Sequence, residues 1–191
     1  IEAYQFLLMN KKKLIIFFIL TFFSAVIADE NKSSKLDVLF QKLSKNLDPS
    51  YANSLEKEIW NLWSKHHNDI NLTNKLELGK ELMNEGSYNY AFQVFTNIIK
   101  TDPLWSEGWN ARATLLFYMN DYQNSLKDID KVLILEPRHF GALAGRAQIS
   151  IRLEQYEKAI SDLKKAKKIH PTMKSLEIIP ELEKLLKGLS I

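Results

Sequence analysis

The 191 residues contain no cysteine. That excludes disulfides, thiolate metal sites and a lipid carried on a cysteine. No glycine-rich phosphate loop is present, and no serine sits in a recognisable nucleophile motif. An excess of charge of one sign is also missing. The chain has 26 Lys and Arg against 23 Asp and Glu. Residues 1–28 hold Lys11, Lys12, Lys13 and Glu2, so the remainder carries 23 basic and 22 acidic side chains. The sequence pI of about 8.9 therefore owes much to the leader and is not a nucleic-acid footprint. Long hydrophobic runs are lacking too. The apolar run from Leu14 to Ile27 stops short of the roughly 20 residues that a spanning helix needs.

That run has another use. Lys11-Lys12-Lys13 form a positive region, Leu14 to Phe23 an almost purely apolar one, and Val26-Ile27-Ala28 a small-residue exit. This order predicts a secretory signal peptide cleaved after Ala28, with Met9 as the start and Ile1 to Leu8 as upstream residues. The expected location is periplasmic or secreted, with no stable membrane insertion after cleavage. An uncleaved N-terminal membrane anchor is the alternative.

Beyond the leader, one period governs the chain. Pro103, Pro137 and Pro171 recur every 34 residues, as do Tyr88, Tyr122 and Tyr156. Gly79, Ala113 and Ala147 keep the interval, and so do Ala91, Ser125 and Ala159. The small columns let two helices approach closely, and each proline ends the second of them. Phe95, Ile129 and Leu163 supply the second helix with its buried stripe. Two other columns change together: Leu78 and Val94 in the first copy become Arg112 with Asp128 and Arg146 with Asp162 in the others. This covariation predicts two ion pairs between the helices of a repeat.

The period and columns resemble the tetratricopeptide repeat. Trp109 matches its opening tryptophan, Leu78-Gly79 its leucine–glycine pair, and Ala91 with Phe95 its alanine–phenylalanine pair. The resemblance implies an all-α solenoid of three repeats, 72–105, 106–139 and 140–173. Around them stand an N-terminal helical hairpin (29–71) capping the front and a capping helix (174–191). In the hairpin, Leu36, Leu39, Phe40 and Leu43 make one stripe, and Leu55, Ile59, Leu62 and Trp63 another. The last helix carries Ile178, Leu182, Leu185, Leu186 and Leu189, with Pro180 near its start. With a leader ahead of a short array, the chain looks like envelope tetratricopeptide proteins of Gram-negative bacteria.

The resemblance further implies a concave groove lined by the first helix of each repeat. By register the lining is Lys80, Met83 and Asn84, then Asn110, Thr114, Phe117 and Tyr118, then Gln148, Ile151 and Arg152. Trp105 and His139 are expected to reach it from the turns. Tetratricopeptide domains that take chaperone tails use Lys, Asn and Arg on this face. Gly141, Ala144 and Gly145 stand where part of that set is needed, so a chaperone-tail receptor is disfavoured.

His66-His67 read as a solvated helix end whose rings point about 100° apart, not as metal ligands. His139 and His170 sit in turns without an evident carboxylate partner. Lys164-Lys165 and Lys167-Lys168 read as a solvated face. The expectation is a non-catalytic adaptor or scaffold of the bacterial envelope, holding a protein or peptide and using no metal or cofactor. The other reading is an accessory subunit of an envelope enzyme or biogenesis pathway, docked by its convex side.

Overall fold

A computed structural model describes residues 33–45 and 47–189; the expected signal peptide lies outside them. Helix α1 spans 33–45. It is followed by α2 Pro49–Ser64, α3 Ile70–Asn84, α4 Tyr88–Thr101, α5 Ser106–Tyr118, α6 Tyr122–Leu135, α7 Phe140–Arg152 and α8 Tyr156–Ile169. A 3-10 turn, Lys174–Ile178, leads into α9, Ile179–Leu189. No strand occurs among the described residues.

The helix pairs α3–α4, α5–α6 and α7–α8 are the three repeats, and the 34-residue columns explain how each closes. A Cβ on Gly79 would strike the Phe95 ring, so the first pair meets where one partner has no side chain. In the second pair Ser125 is fully buried, and its Oγ–H donates to the Ala113 carbonyl at 2.7 Å. The turn inside each pair needs a left-handed residue. Gly86, Asn120 and Glu154 fill that equivalent place with φ of 78°, 59° and 56°. Glycine adopts this at no steric cost, asparagine tolerates it, and glutamate does so against its preference. Asp48, Asp69 and Asp121 begin α2, α3 and α6 by accepting the N–H of Ser50, Asn71 and Asn124.

The hairpin of α1 and α2 departs from expectation. It does not simply cover the front of the array. Instead α2 runs along the edge built by the inter-repeat turns of all three repeats. Trp105 Nε1–H donates to the Trp63 carbonyl at 2.9 Å, and Trp63 stacks on His139 with centroids 4.0 Å apart. Trp60 lies against Gly141, and His170 meets Glu56. From α1, Phe40 packs edge-on to Phe140, while Asp37 accepts from Arg138 Nη1 at 2.6 Å. The reason is the composition of the turns. Phe140, Ile169 and Met173 would otherwise present an aromatic and aliphatic ridge to water, and Leu36, Phe40, Ile59 and Trp63 cover it.

At the other end, Ile179 and Leu182 close the core of α8, with Leu176 and Leu186 against it. Ile178 and Leu185 do not join this stripe and stay exposed. Ile178 belongs to the 3-10 turn and not to α9. Pro180 falls in the first turn of α9, where its missing N–H costs nothing.

Candidate partner-binding groove

The first helices α5 and α7 lie side by side and leave a cleft of about 100 Å³ between them. Asn110, Thr114, Phe117 and Tyr118 of α5 form one wall, and Gly141, Gly145 and Gln148 of α7 the other. Tyr118 is 56% exposed and meets the Phe117 ring edge-on at 6.0 Å. Thr114 Oγ1–H donates within its own helix to the Asn110 carbonyl, and the Asn110 amide is held by Glu107. Gln148 is exposed beside them. A second hollow of about 440 Å³ adjoins the first, lined by Ala144, Gln148, Ile151, Lys174, Ser175 and Ile178 among others. Gln148 is common to both.

Other residues expected in the groove have different surroundings. Trp105 is 6% exposed, with its indole N–H spent on Trp63, and is a packing residue. His139 is fully buried beneath α2. Lys80 Nζ bonds Ser64 Oγ and Glu77, which ties it to the end of α2. Asn84 and Arg152 are exposed but line neither hollow.

A family model described as tetratricopeptide repeat matches residues 141–172. A TPR repeat-containing protein of Rhizobium etli is 37% identical over 131 residues, 66% of this chain and 63% of the relative. The first TPR of Spaghetti (RPAP3), solved with the HSP90 peptide SRMEEVD, superposes with a TM-score of 0.57. It is 20% identical over 63% of this chain and 94% of that one. The array has the fold of the tetratricopeptide-repeat solenoids. The Yersinia enterocolitica type III secretion chaperone SycD, in complex with a peptide of the translocator YopD, gives a TM-score of 0.55 at 14% identity. That match covers 66% of this chain and 97% of the chaperone. The chain spans less than two thirds of the Rhizobium relative's own length.

Within the array the two arginines join repeats as well as helices. Arg112 Nε and Nη2 donate to Asp128 at 2.7 and 2.9 Å, and Nη1 reaches Thr96 of the preceding repeat at 3.2 Å. Arg146 repeats the arrangement with Asp162 at 2.7 and 2.8 Å and reaches back to Asp130 at 2.9 Å. The Asp162 bonds are the main cause that raises the Arg146 pKa, against the opposing effect of burial.

The histidines correct the sequence reading. Helix α2 ends at Ser64, so His66 and His67 are not on a helix and the 100° argument does not apply. Their rings lie 4.5 Å apart, and with Asp102 they bring three ligand-type atoms within 4.8 Å of one another. His66 is nonetheless poorly suited to an ion. Its Nδ1 accepts the Asp69 N–H at 3.0 Å, so Nε2 carries the proton and donates it to Asp102 at 2.7 Å. Both ring nitrogens are thereby used. His139 is held the same way: Nδ1 accepts the Ala142 N–H and Nε2–H faces Glu107 at 3.3 Å. His170 Nε2 meets Glu56 at 3.0 Å. The turn histidines do have carboxylate partners.

Asp102, Glu136 and His170 occupy one place at 34-residue spacing, and each is a polar anchor at the hairpin seam. Asp102 binds His66, and Glu136 holds Arg138, which reaches Asp37. His170 completes the set with Glu56. The hydrogen bond from His170 is the chief cause that lowers the Glu56 pKa, against burial. Burial works to raise Asp102, but bonds from His66 and the Leu104 N–H outweigh it and the net shift is downward. This column was visible in the sequence; its changing residue type hid it.

Proposed function

We propose that this chain is a non-catalytic protein-interaction module that holds a segment of a partner protein between α5 and α7. The observation that carries the reading is the cleft itself. Four exposed or half-exposed side chains of α5, Asn110, Thr114, Phe117 and Tyr118, face Gln148 across a floor of glycine. Rings offer area, the amide and hydroxyl offer hydrogen bonds, and none of the cleft-lining residues is an Asp, Glu, His, Lys or Arg. Such a lining suits gripping a chain better than moving protons or attacking a bond. The peptides in the Spaghetti and SycD structures lend support by analogy of fold.

A photo-crosslinking residue at Tyr118 tests this in the cells that make the protein. Capture of a partner from position 118, and not from Tyr90 on α4, is the expected result. Capture from Tyr90 alone would move the interface to the second-helix face and favour the accessory-subunit reading. We also infer that the protein acts in the bacterial envelope after export, on the order of Lys11–Lys13, the apolar run and Ala28. N-terminal sequencing of exported material should then begin at Asp29. An intact leader in the membrane fraction would overturn it.

A further inference from the structure

The two hollows on the first-helix face differ from the rest of the array in what has been removed from them. Where α5 carries Glu107, Asn110 and Ala111, the equivalent places on α7 carry Gly141, Ala144 and Gly145. Each step takes away a side chain or part of one, so the floor sinks at α7. The glycines sink it for different reasons. A Cβ on Gly141 would meet Trp60 at 2.6 Å, so that glycine serves the packing of α2. A Cβ on Gly145 would find its nearest neighbour, Ile129 Cδ1, at 3.9 Å, which is ordinary contact. Packing of the fold therefore does not account for the missing side chain at Gly145. It opens the floor of the smaller hollow, next in sequence to Ala144, which lines the larger one.

Charge narrows what fits. The smaller hollow has no charged side chain, and the larger has one of each sign, Lys174 and Glu177. Arg112 and Arg146, the half-buried cations between the helices of the repeats, are already held by Asp128 and Asp162. An acidic peptide entering the smaller hollow would give up its hydration and find no cation there to replace it, and in the larger hollow it would meet Lys174 only beside the like charge of Glu177. An apolar side chain would instead replace water over Gly145, Ala144 and Ile151. Gln148, exposed where the hollows meet, can donate to and accept from the main chain of the same segment.

We propose that this trough takes an uncharged, apolar segment of another protein, with an aliphatic or aromatic side chain seated over Gly145 and its backbone read by Gln148. This rests on the groove reading above and specifies its ligand chemistry. The trough is not a receptor for acidic chain ends.

Fluorescence anisotropy on the full chain with two labelled heptapeptides tests it. The first is SRMEEVD. The second replaces its arginine with glutamine and its three acidic residues with leucine, and ends in an amide. The neutral peptide is expected to bind at least about tenfold more tightly, and Gly145→Leu to weaken it by about tenfold or more. Gly145→Leu should leave the thermal midpoint unchanged or higher, since the position has room and helices disfavour glycine. Tighter binding of SRMEEVD, lost in Gly145→Leu, would overturn the ligand assignment while leaving the groove in place. Binding of the neutral peptide that ignores Gly145→Leu would overturn the groove reading as well. Binding of neither peptide would refute the assignment. A change of oligomeric mass in Gly145→Leu would make the occupant a second copy of this chain, and so would also refute it.

Discussion

The Arg112–Asp128 pair allows a sharp test, because the chain contains its own apolar replacement. The same two places in the first repeat hold Leu78 and Val94. In the second repeat the guanidinium and carboxylate make two bonds of 2.7 and 2.9 Å, with side chains only 17% and 6% exposed. Two unit charges about 4 Å apart in surroundings of effective dielectric about 20 attract by roughly 4 kcal/mol. Desolvating both ions costs a comparable amount, so the pair is expected to be close to neutral against an apolar pair of similar volume.

The single variants are not neutral. Arg112→Leu strands the more deeply buried Asp128 and should cost about 3–4 kcal/mol. Asp128→Val should cost less, about 2–3 kcal/mol. Its orphaned arginine keeps Thr96 at 3.2 Å and the rings of Trp109 and Phe92 at 5.2 and 5.7 Å. The double variant, which copies the first repeat, should return to within about 1 kcal/mol of the parent. Urea unfolding followed by circular dichroism measures all four proteins. In a thermal scan each single variant should fall by several degrees, at about 2–4 °C per kcal/mol for a chain of this size, and the double should recover. A double variant as unstable as the sum of the singles would refute the reasoning, because it would mean the Leu–Val solution of the first repeat does not transfer.

The helical glycines should respond with opposite sign to alanine. Gly79→Ala drives a Cβ into Phe95 and should destabilise by about 1–3 kcal/mol, whereas Gly145→Ala should stabilise by up to about 1 kcal/mol; thermal midpoints decide. Glu154→Gly relieves a left-handed glutamate and should raise stability by about 1 kcal/mol, measured by urea unfolding. Trp105→Phe removes the indole N–H that Trp63 accepts, so it should lower stability by about 1 kcal/mol and leave partner capture intact. Glu56 and Asp102 are held below the ordinary carboxylate range by His170 and His66. Their contribution is present above about pH 4 and is lost as the pH falls through their lowered values. Stability should therefore drop on acidification below about pH 4, with Trp60, Trp63 and Trp105 fluorescence reporting the seam, and Glu56→Gln should flatten part of that drop.

What the sequence by itself determined is local and periodic. A 34-residue interval read through proline, tyrosine and small residues fixes three helix pairs, because each such residue acts within a few positions or across one tight helix contact. The Arg–Asp columns were legible for the same reason: their spacing places them on facing helices of one repeat. The family resemblance, carried over by register, put Asn110, Thr114, Phe117, Tyr118 and Gln148 on one face, and all five line the cleft. What only the tertiary structure decided lies between segments distant in the chain. Nothing within Pro49–Ser64 announces that Trp60 will rest on Gly141 or that Glu56 will meet His170, 114 residues away. That docking buries Trp105 and His139, so two residues that register assigned to the groove became its support. A hydrophobic stripe specifies that a helix must be covered; which surface covers it depends on the shape and charge of a partner that exists only once the array has folded.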